Sequence, residues 1–389
     1  MAKLETPATQ IIYIITKLEL GGAQKVCLSL FKHNSKCFFV SLLCGEGGIL
    51  SPEAEAIGSV YFIKELKNTL SPKYLFQDLI AFYKIYAYLS AARKLNPNLI
   101  VHTHSSKAGI LGRMAARLAG CKKNVHTVHG FGFNNEQFFL KFYFIWLVEF
   151  FINFISTKLI FVSQADLLYA QKKMFVSAGK SVLIRASVAH VADQIIQKIS
   201  PDQKSKQIIK IGSVGCFKPQ KNLFDLLDAF KILKDRFDSK KLNLNLMLEI
   251  VGDGEQRNDI EAWIEQKGLS KNIILAGWVK DLRSFYEEID IFAMSSLWEG
   301  LPCAIVEAQL FQIPVVAYNV GGIQEIIIDG KNGFLIEPKN KLSLSRKLEI
   351  LACNKSLRNQ MRANSHMPTD FSLGVMLRKH QALYKSLIL

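Results

Sequence analysis

Short apolar runs rich in β-branched residues alternate with helical stretches along the chain, and the series runs twice. This alternation constrains the fold more than any other feature. Gln10–Ile15 (QIIYII) reads as a buried parallel strand, followed by Gly21-Gly22 and a helical stretch, AQKVCLSLFKH. Phe38–Leu43 is a second strand. Leu75–Leu95 is a helix ended by Asn96-Pro97, and Leu99–Thr103 is a strand. Gly109–Ala119 is a helix stopped by Gly120, with further strands at Asn124–Val128 and Leu159–Val162. Between about Ser187 and Lys206 the pattern fades into polar sequence with Pro201, the best linker candidate. A second series follows. Its strands are Ile208–Val214, Asn245–Val251, Ile273–Leu275, Ile289–Ala293 and Val315–Ala317, and its first helix is Leu223–Phe237. An amphipathic helix, Gly374–Leu387, ends the chain.

Strand–helix alternation implies right-handed crossovers and parallel sheets covered by helices. Two series joined by a linker predict an α/β protein of two doubly wound domains, and 389 residues suffice for two full cores. Ligands in such sheets bind beyond the carboxyl ends of the strands, and the cleft expected between two facing domains is the default active site.

The net charge of +16 points to anionic partners such as phosphates or acidic lipid headgroups, or simply to a basic proteome. Aromatic residues fall in the strand and helix cores and do not interleave with basic ones, so nucleic acid is not an expected partner. Seven scattered cysteines contain no CxxC pair, which fits neither a zinc site nor a disulfide framework. Most are expected to be small buried residues in a reducing compartment. The start, MAKLETPATQ, has no apolar h-region, so no signal peptide is expected. Phe138–Ile155 (FFLKFYFIWLVEFFINFI) approaches the length of a membrane span but carries Lys141 and Glu149 within it. We expect a domain helix, with part of its surface on a membrane face.

The sharpest chemical signal is SSLWEGLPCAIVEAQLFQIPVVAYNVGGIQE, Ser295 to Glu325. Pro302 suits the first residue of a helix. Glu299 and Gly300 then lie on the entering loop, and Glu307 about one turn inside. A helix N-terminus cradles phosphate, a loop carboxylate accepts sugar hydroxyls, and one further along can hold a ribose diol. Two solvated glutamates flanking an ordinary helix would give the same spacing. Their neighbours favour a site. Gly215-Cys216-Phe217-Lys218-Pro219-Gln220-Lys221-Asn222 follows a strand and opens a helix, a glycine turn with two lysines that suits a diphosphate. Gly252-Asp253-Gly254-Glu255 is as readily a plain tight turn as a ligand contact. Gly277-Trp278-Val279 and Gly321-Gly322 also fall at strand–helix turns.

Read in order, GCFKPQKN, VGDGE, LAGWVKD, SLWEGLPCAIVEA and NVGGIQEII–DGKNGFLIEP resemble the donor domain of family 4 glycosyltransferases, with their EX7E element and GT-B fold, from about Ile208 to Phe371. LELGGAQK resembles the family's glycine-rich first loop. HTHSSKAGILGRMAARLAG and HTVHGFGF resemble a bacterial subgroup that builds surface polysaccharides and lipid-linked glycans. The resemblance implies an acceptor-side Rossmann-like domain over 1–190, with helix 372–389 packing back on it, and a donor-binding domain over 207–371. It implies that Lys221 neutralises the donor diphosphate and that Glu299, assisted by the backbone at Gly300 and Leu301, holds the sugar hydroxyls. Glu307 would bind the ribose, and Gly21 and Gly22 would approach the diphosphate. Trp278 and Val279 would lie near the base, and His129 would face the transferred sugar. Two departures stand out. Cys216 replaces the usual arginine, so a phosphate contact is missing or is supplied by Lys218 beside Gly215. Ile184–Val188 replaces an Asn-Gly or Ser-Gly turn.

His102, His104, His126 and His129 form two close pairs at strand ends. No cysteine or carboxylate completes a metal set, and the pairs alternate as strand residues do, so a metal is not expected. His104 is as readily structural as functional. The expected activity is retaining transfer of a hexose or N-acetylhexosamine, without a divalent metal or other cofactor. The donor would be a UDP-sugar and the acceptor a polyprenyl-diphosphate- or otherwise membrane-linked saccharide, handled in the cytoplasm at an anionic membrane surface during polysaccharide, lipopolysaccharide or glycoprotein glycan assembly. The alternatives are a non-catalytic nucleotide-sugar-binding scaffold, which Cys216 would favour, and a nucleotide-sugar epimerase of the same fold.

Overall fold

A computed structural model describes residues 9–67, 72–187, 208–242, 244–365 and 369–388. The linker candidate after Ser187, and Val188 of the Ile184–Val188 segment, lie outside these. The chain divides into two compact units, Met1–Ala189 with Ser372–Leu389, and His190–Phe371.

The first unit runs β1 (Gln10–Ile14), α1 (Gly22–Asn34), β2 (Phe39–Cys44), α2 (Ser51–Ile57), β3 (Ser59–Phe62), α3 (Leu75–Leu95) and β4 (Leu99–His104). It continues through α4 (Ser106–Leu118), β5 (Lys123–Val128), α5 (Phe139–Ile155), β6 (Lys158–Phe161), α6 (Gln164–Lys173) and β7 (Ser181–Leu183). Its seven strands pair in the order β3-β2-β1-β4-β5-β6-β7, and every pairing is parallel. The second unit runs β8 (Ile208–Val214), α7 (Leu223–Ser239), β9 (Asn245–Val251), α8 (Arg257–Gln266), β10 (Ile273–Gly277), α9 (Arg283–Glu288) and β11 (Ile291–Met294). Then come α10 (Cys303–Leu310), β12 (Val315–Tyr318), β13 (Gly333–Ile336), α11 (Lys341–Cys353) and α12 (Lys355–Ala363). Its order is β10-β9-β8-β11-β12-β13, again all parallel. The last helix, α13 (Leu373–Ile388), belongs to the first unit.

In both sheets the chain builds outward on one side of the first strand and then returns to its other side. That reversal opens a crevice at the carboxyl ends of β1 and β4, and another at those of β8 and β11. Alternating side chains give each sheet two buried faces. On β1, Ile12 and Ile14 join Val101 of β4 against Ala81, Ile85 and Leu89 of α3. Between them Tyr13 points the other way, where its ring meets Phe31 of α1 and its hydroxyl lies 3.3 Å from that of Tyr384 on α13. Burying such apolar surface is the main stabilising term, about 25 cal/mol per Å².

Helix α5 accounts for the aromatic run. One stripe, Ile145, Glu149, Ile152 and Asn153, is buried. The charge inside the run is held there, because Arg113 of α4 donates to Glu149 Oε2 at 2.7 Å and to Asn153 Oδ1 at 3.0 Å. Lys141 is exposed. Among the described residues no helix is long and apolar enough to cross a membrane.

Two expectations are corrected. Only Cys27, Cys44 and Cys121 are buried. Cys216 and Cys303 are half-buried and Cys37 and Cys353 exposed, because the latter four lie on loops or helix ends. Pro302 is not the first helical residue: at ψ 105° it is still extended, and α10 begins at Cys303. A proline at the cap restrains φ without having to supply a helical N–H.

Candidate active site

In the second unit, the loops leaving β8 and β11 flank the crevice. Ser295, at the exit of β11, donates its hydroxyl to the carbonyls of Lys221 at 3.0 Å and Asn222 at 2.8 Å. Leu297 N–H donates to the Gln220 carbonyl at 2.9 Å, and the Gln220 amide donates to the Trp298 carbonyl at 2.9 Å. These bonds join two segments almost eighty residues apart and fix their side chains against each other. Asn222 adopts a left-handed conformation (φ 45°) as the chain turns into α7, and its amide donates to Asp225, which also accepts from Tyr318.

Lys221 Nζ reaches Glu299 Oε1 at 2.5 Å, with both side chains largely sheltered from solvent. Gly215 lies beneath the lysine stem: a Cβ there would come within 3.2 Å of Lys221 Cδ. Lys218 is half-buried and its ammonium meets no described residue. Glu307, the fifth residue of α10, is buried, and Tyr286 donates its hydroxyl to Glu307 Oε2 at 2.8 Å. Burial, then the neighbouring Glu307 carboxylate, push the Tyr286 hydroxyl pKa well above its ordinary value, so it remains a donor.

Two glycines are required by close approach. Gly252 has φ 136°, and a Cβ on it would lie 1.9 Å from the Gly215 carbonyl oxygen. Gly321 has φ 52°, and its Cβ would lie 1.8 Å from the Glu299 oxygen, while Gly322 N–H donates to the Gly300 carbonyl at 2.8 Å. The Gly252-Asp253-Gly254 turn therefore props the β8 loop, with Phe217 N–H donating to the Asp253 carbonyl at 2.9 Å. Gly252 N–H also donates to the Gly277 carbonyl, which sets Trp278 (39% exposed) and half-buried Val279 at the same rim. Gly300 and Leu301 are buried on the loop before α10.

The structure thus brings together Gly215, Lys221, Glu299, Gly300, Leu301 and Glu307, with Trp278 and Val279 beside them. Gly21, Gly22 and His129 belong to the first unit. Gly21 caps α1, which starts at Gly22, at the carboxyl end of β1. His129 follows β5 and lines a small polar pocket with Ser105, His126 and Glu149. The four histidines are in hydrogen bonds: His102 to Tyr384 and Thr127, His126 to Thr103, and His104 to His129. Among the described residues no three His, Cys, Asp or Glu side chains converge as metal ligands do.

Tyr286 was not singled out in the sequence, and Gln220 and Ser295 stood there only as parts of longer motifs with no role of their own. Their roles come from contacts across long sequence separations. Only the place of Ser295 at a strand exit was a signal.

Residues 20–188 match the family described as Glycosyltransferase Family 4, and residues 193–366 that described as Glycosyl transferases group 1. An Escherichia coli relative, UDP-Gal:alpha-D-GlcNAc-diphosphoundecaprenol alpha-1,3-galactosyltransferase, is 34% identical over 332 residues, 82% of this chain and 81% of that one. The chain belongs to glycosyltransferase family 4. The glycosyltransferase is also 25% identical to the Staphylococcus aureus capsular polysaccharide biosynthesis glycosyltransferase CapM, over 81% of this chain and 82% of that one. Its fold matches that of Anabaena HepE, solved in complex with UDP and glucose, with a TM-score of 0.77 at 18% identity, covering 97% of this chain and 100% of that one. The glycosyltransferase therefore has the GT-B fold expected of it.

Proposed function

We propose that this glycosyltransferase moves a hexose or N-acetylhexosamine from a UDP-sugar to a saccharide carried on a polyprenyl diphosphate. In this reading the donor's anomeric configuration is retained, and the enzyme works at the cytoplasmic face of a bacterial membrane in glycan assembly. The observation that carries the donor half is the buried-side contact of Lys221 with Glu299 at the β8–β11 crevice. Support for the acceptor half comes from the Escherichia coli relative, a galactosyltransferase whose acceptor is alpha-D-GlcNAc-diphosphoundecaprenol.

In this reading the donor diphosphate replaces Glu299 as counter-ion of Lys221. Glu299 is then released to accept hydroxyls of the transferred sugar. Glu307, already oriented by Tyr286, accepts the ribose diol. Lys218 stands where it can take over a phosphate contact in the absence of an arginine at Cys216. The acceptor hydroxyl attacks the anomeric carbon, the bond from that carbon to the diphosphate oxygen breaks, and the acceptor proton passes to the departing oxygen. Lys221, Lys218 and the N–H groups opening α10 stabilise the charge that develops there, so the proposal calls on no divalent metal. His129 acts on the acceptor side of the reaction.

The membrane contact is assigned to the outer face of α5. Phe139, Tyr143, Phe144, Leu147, Phe151 and Phe154 are all exposed there, Phe144 at 69%. Lys141 projects from the same helix, and Lys180 donates to the Phe154 carbonyl at its end. Apolar area with basic neighbours suits an anionic lipid surface.

The test is transfer from UDP-Gal, UDP-Glc and UDP-GlcNAc to GlcNAc-diphosphoundecaprenol, with and without EDTA, and with NMR of the product anomer. An α-linked disaccharide lipid made equally well in EDTA supports the proposal. Product of inverted configuration, or turnover only with added metal, overturns it.

A further inference from the structure

Strands β4 and β5 pair so that His104 lies opposite Thr127, and His129 follows two residues later. The His129 ring turns back on His104. Nδ1 of His104 and Nε2 of His129 are 3.0 Å apart, with ring centroids separated by 5.3 Å. The centroid separation exceeds the nitrogen contact by roughly two ring radii, so the rings meet edge to edge with the nitrogens aimed at each other. His104 is fully buried, and its other nitrogen, Nε2, has no hydrogen-bond partner among the described residues. His129 Nδ1 bonds to no described residue, and its ring lines the pocket with Ser105, His126 and Glu149.

One proton lies between the two nitrogens, and the buried end of His104 decides who holds it. If His129 donated, neutral His104 would keep its own proton on Nε2, as a buried N–H without an acceptor. Folded proteins avoid an orphaned N–H more strictly than a bare acceptor. If His104 donates from Nδ1, the buried Nε2 is only a bare lone pair, and neutral His129 carries its proton on Nδ1. We propose that His104 is a positioning residue that fixes His129 as the neutral Nδ1–H tautomer, so that a substrate meets His129 as a hydrogen-bond donor and not as a base. The mechanistic half rests on the acceptor-side reading of His129 given above, whereas the tautomer does not.

The surroundings keep both rings neutral. His102 of β4, His126 of β5, and His380 of α13 face the pair, and the nearest acid in the pocket, Glu149, is already paired with Arg113. Burial first, then His102, His129 and His380, hold His104 well below the ordinary histidine range, and burial first, then His380, hold His129 down to about 3. Tyr13 adds no charge, since burial raises its hydroxyl pKa as well. A donor His129 also fits a reaction in which the acceptor proton leaves with the diphosphate oxygen, since His129 has no free lone pair to receive it.

The test is a long-range proton–nitrogen correlation spectrum of the full chain labelled with 15N-histidine, with His129 assigned by its loss in His129→Gln. We expect Nδ1 protonated and Nε2 bare, unchanged from pH 8 to 5.5. His104→Phe removes the donor, so His129 should show mixed tautomers. His104→Asn keeps an N–H near the Nδ1 position and should restore the wild-type pattern, which covers the case of His104→Phe failing to fold. An Nε2–H on His129 in the wild type, or no tautomer change in folded His104→Phe, would overturn the assignment. In transfer assays, a fall in kcat of His104→Phe that His104→Asn restores, with KM for the UDP-sugar unchanged, supports the mechanistic half. Undiminished transfer by His129→Gln overturns that half alone.

Discussion

Lys221 Nζ and Glu299 Oε1 are 2.5 Å apart, although the two residues stand on loops from different strands and 78 positions separate them. The ion pair holds the loops after β8 and β11 in register before any donor arrives, and sets up a competition. A diphosphate that pairs with Lys221 must displace Glu299. Glu299→Gln should therefore leave UDP affinity unchanged or increase it, while transfer falls by roughly 10²- to 10³-fold through loss of sugar orientation. Calorimetric Kd values for UDP set beside kcat/KM check this. A parallel loss in both would contradict the competition.

On the proposed donor site, Lys221→Ala removes the charge assigned to the leaving diphosphate. kcat should fall by about 10²-fold or more, and UDP should bind more weakly too, because the charge acts in both the ground state and the transition state. Steady-state kinetics and UDP titration measure the two effects separately.

Tyr286 reaches Glu307 from α9, and without its hydroxyl the carboxylate loses a donor in a buried position. Tyr286→Phe should weaken UDP binding by about 1–2 kcal/mol, a factor of roughly 5 to 30. Because its pKa is raised well above 10, wild-type UDP affinity should show no Tyr286 ionisation up to pH 9.

On the outer face of α5, Phe144 is 69% and Phe151 61% exposed. Phe144→Asp combined with Phe151→Asp should abolish flotation with anionic phosphatidylglycerol vesicles. It should leave Tm within a few degrees of wild type, because neither side chain is in the core. Wild-type flotation by the double variant would remove α5 as the membrane contact.

Four buried histidines and the half-buried His129 meet beneath the β4 and β5 ends: His102, His104 and His126 well below their ordinary pKa, His129 at about 3 and His380 at about 4. Burial is the first cause for each. Their folded values lie below the unfolded value near 6.5, so the unfolded chain binds more protons in the window between. Stability is then full above about pH 6.5 and is lost as the pH falls through that window, by up to about 2 kcal/mol per histidine between pH 7 and 5. Thermal unfolding at pH 7.5, 6 and 5 should show a Tm drop that steepens with acidity. A flat Tm would mean that these rings are protonated in the fold or open to water.

The strands were legible because parallel strands buried on both faces are continuous apolar runs. Ile208–Val214 and Asn245–Val251 match residue for residue, and helix Leu75–Leu95 was marked by the Asn96-Pro97 stop. β3, β7 and β13 were not read, because they are three or four residues long, and β3 and β7, at one edge each of the first sheet, lack a fully buried run. Glu299, Glu307 and Lys221 could be found because a loop before a helix and a loop after a strand leave local marks. Tyr286 could not, because what matters in it is a contact 21 residues away. Nor could the network that joins His102 to Tyr384, 282 residues apart, or the partnership of His104 with His129, which depends on strand register. Cysteine burial was misjudged for a related reason: composition says that cysteines tend inward, but Cys37 and Cys353 lie at element ends.

The central claim is a nucleotide-sugar donor site built on Lys221, Glu299 and Glu307. Thermal shift with UDP, GDP, ADP and CMP, on the wild type and Glu307→Ala, tests it most directly. A nucleotide at a hundred times its Kd adds about 2.7 kcal/mol. The account predicts a clear rise in Tm with UDP that is lost in folded Glu307→Ala. No shift with any nucleotide, or an equal shift in the variant, would contradict it.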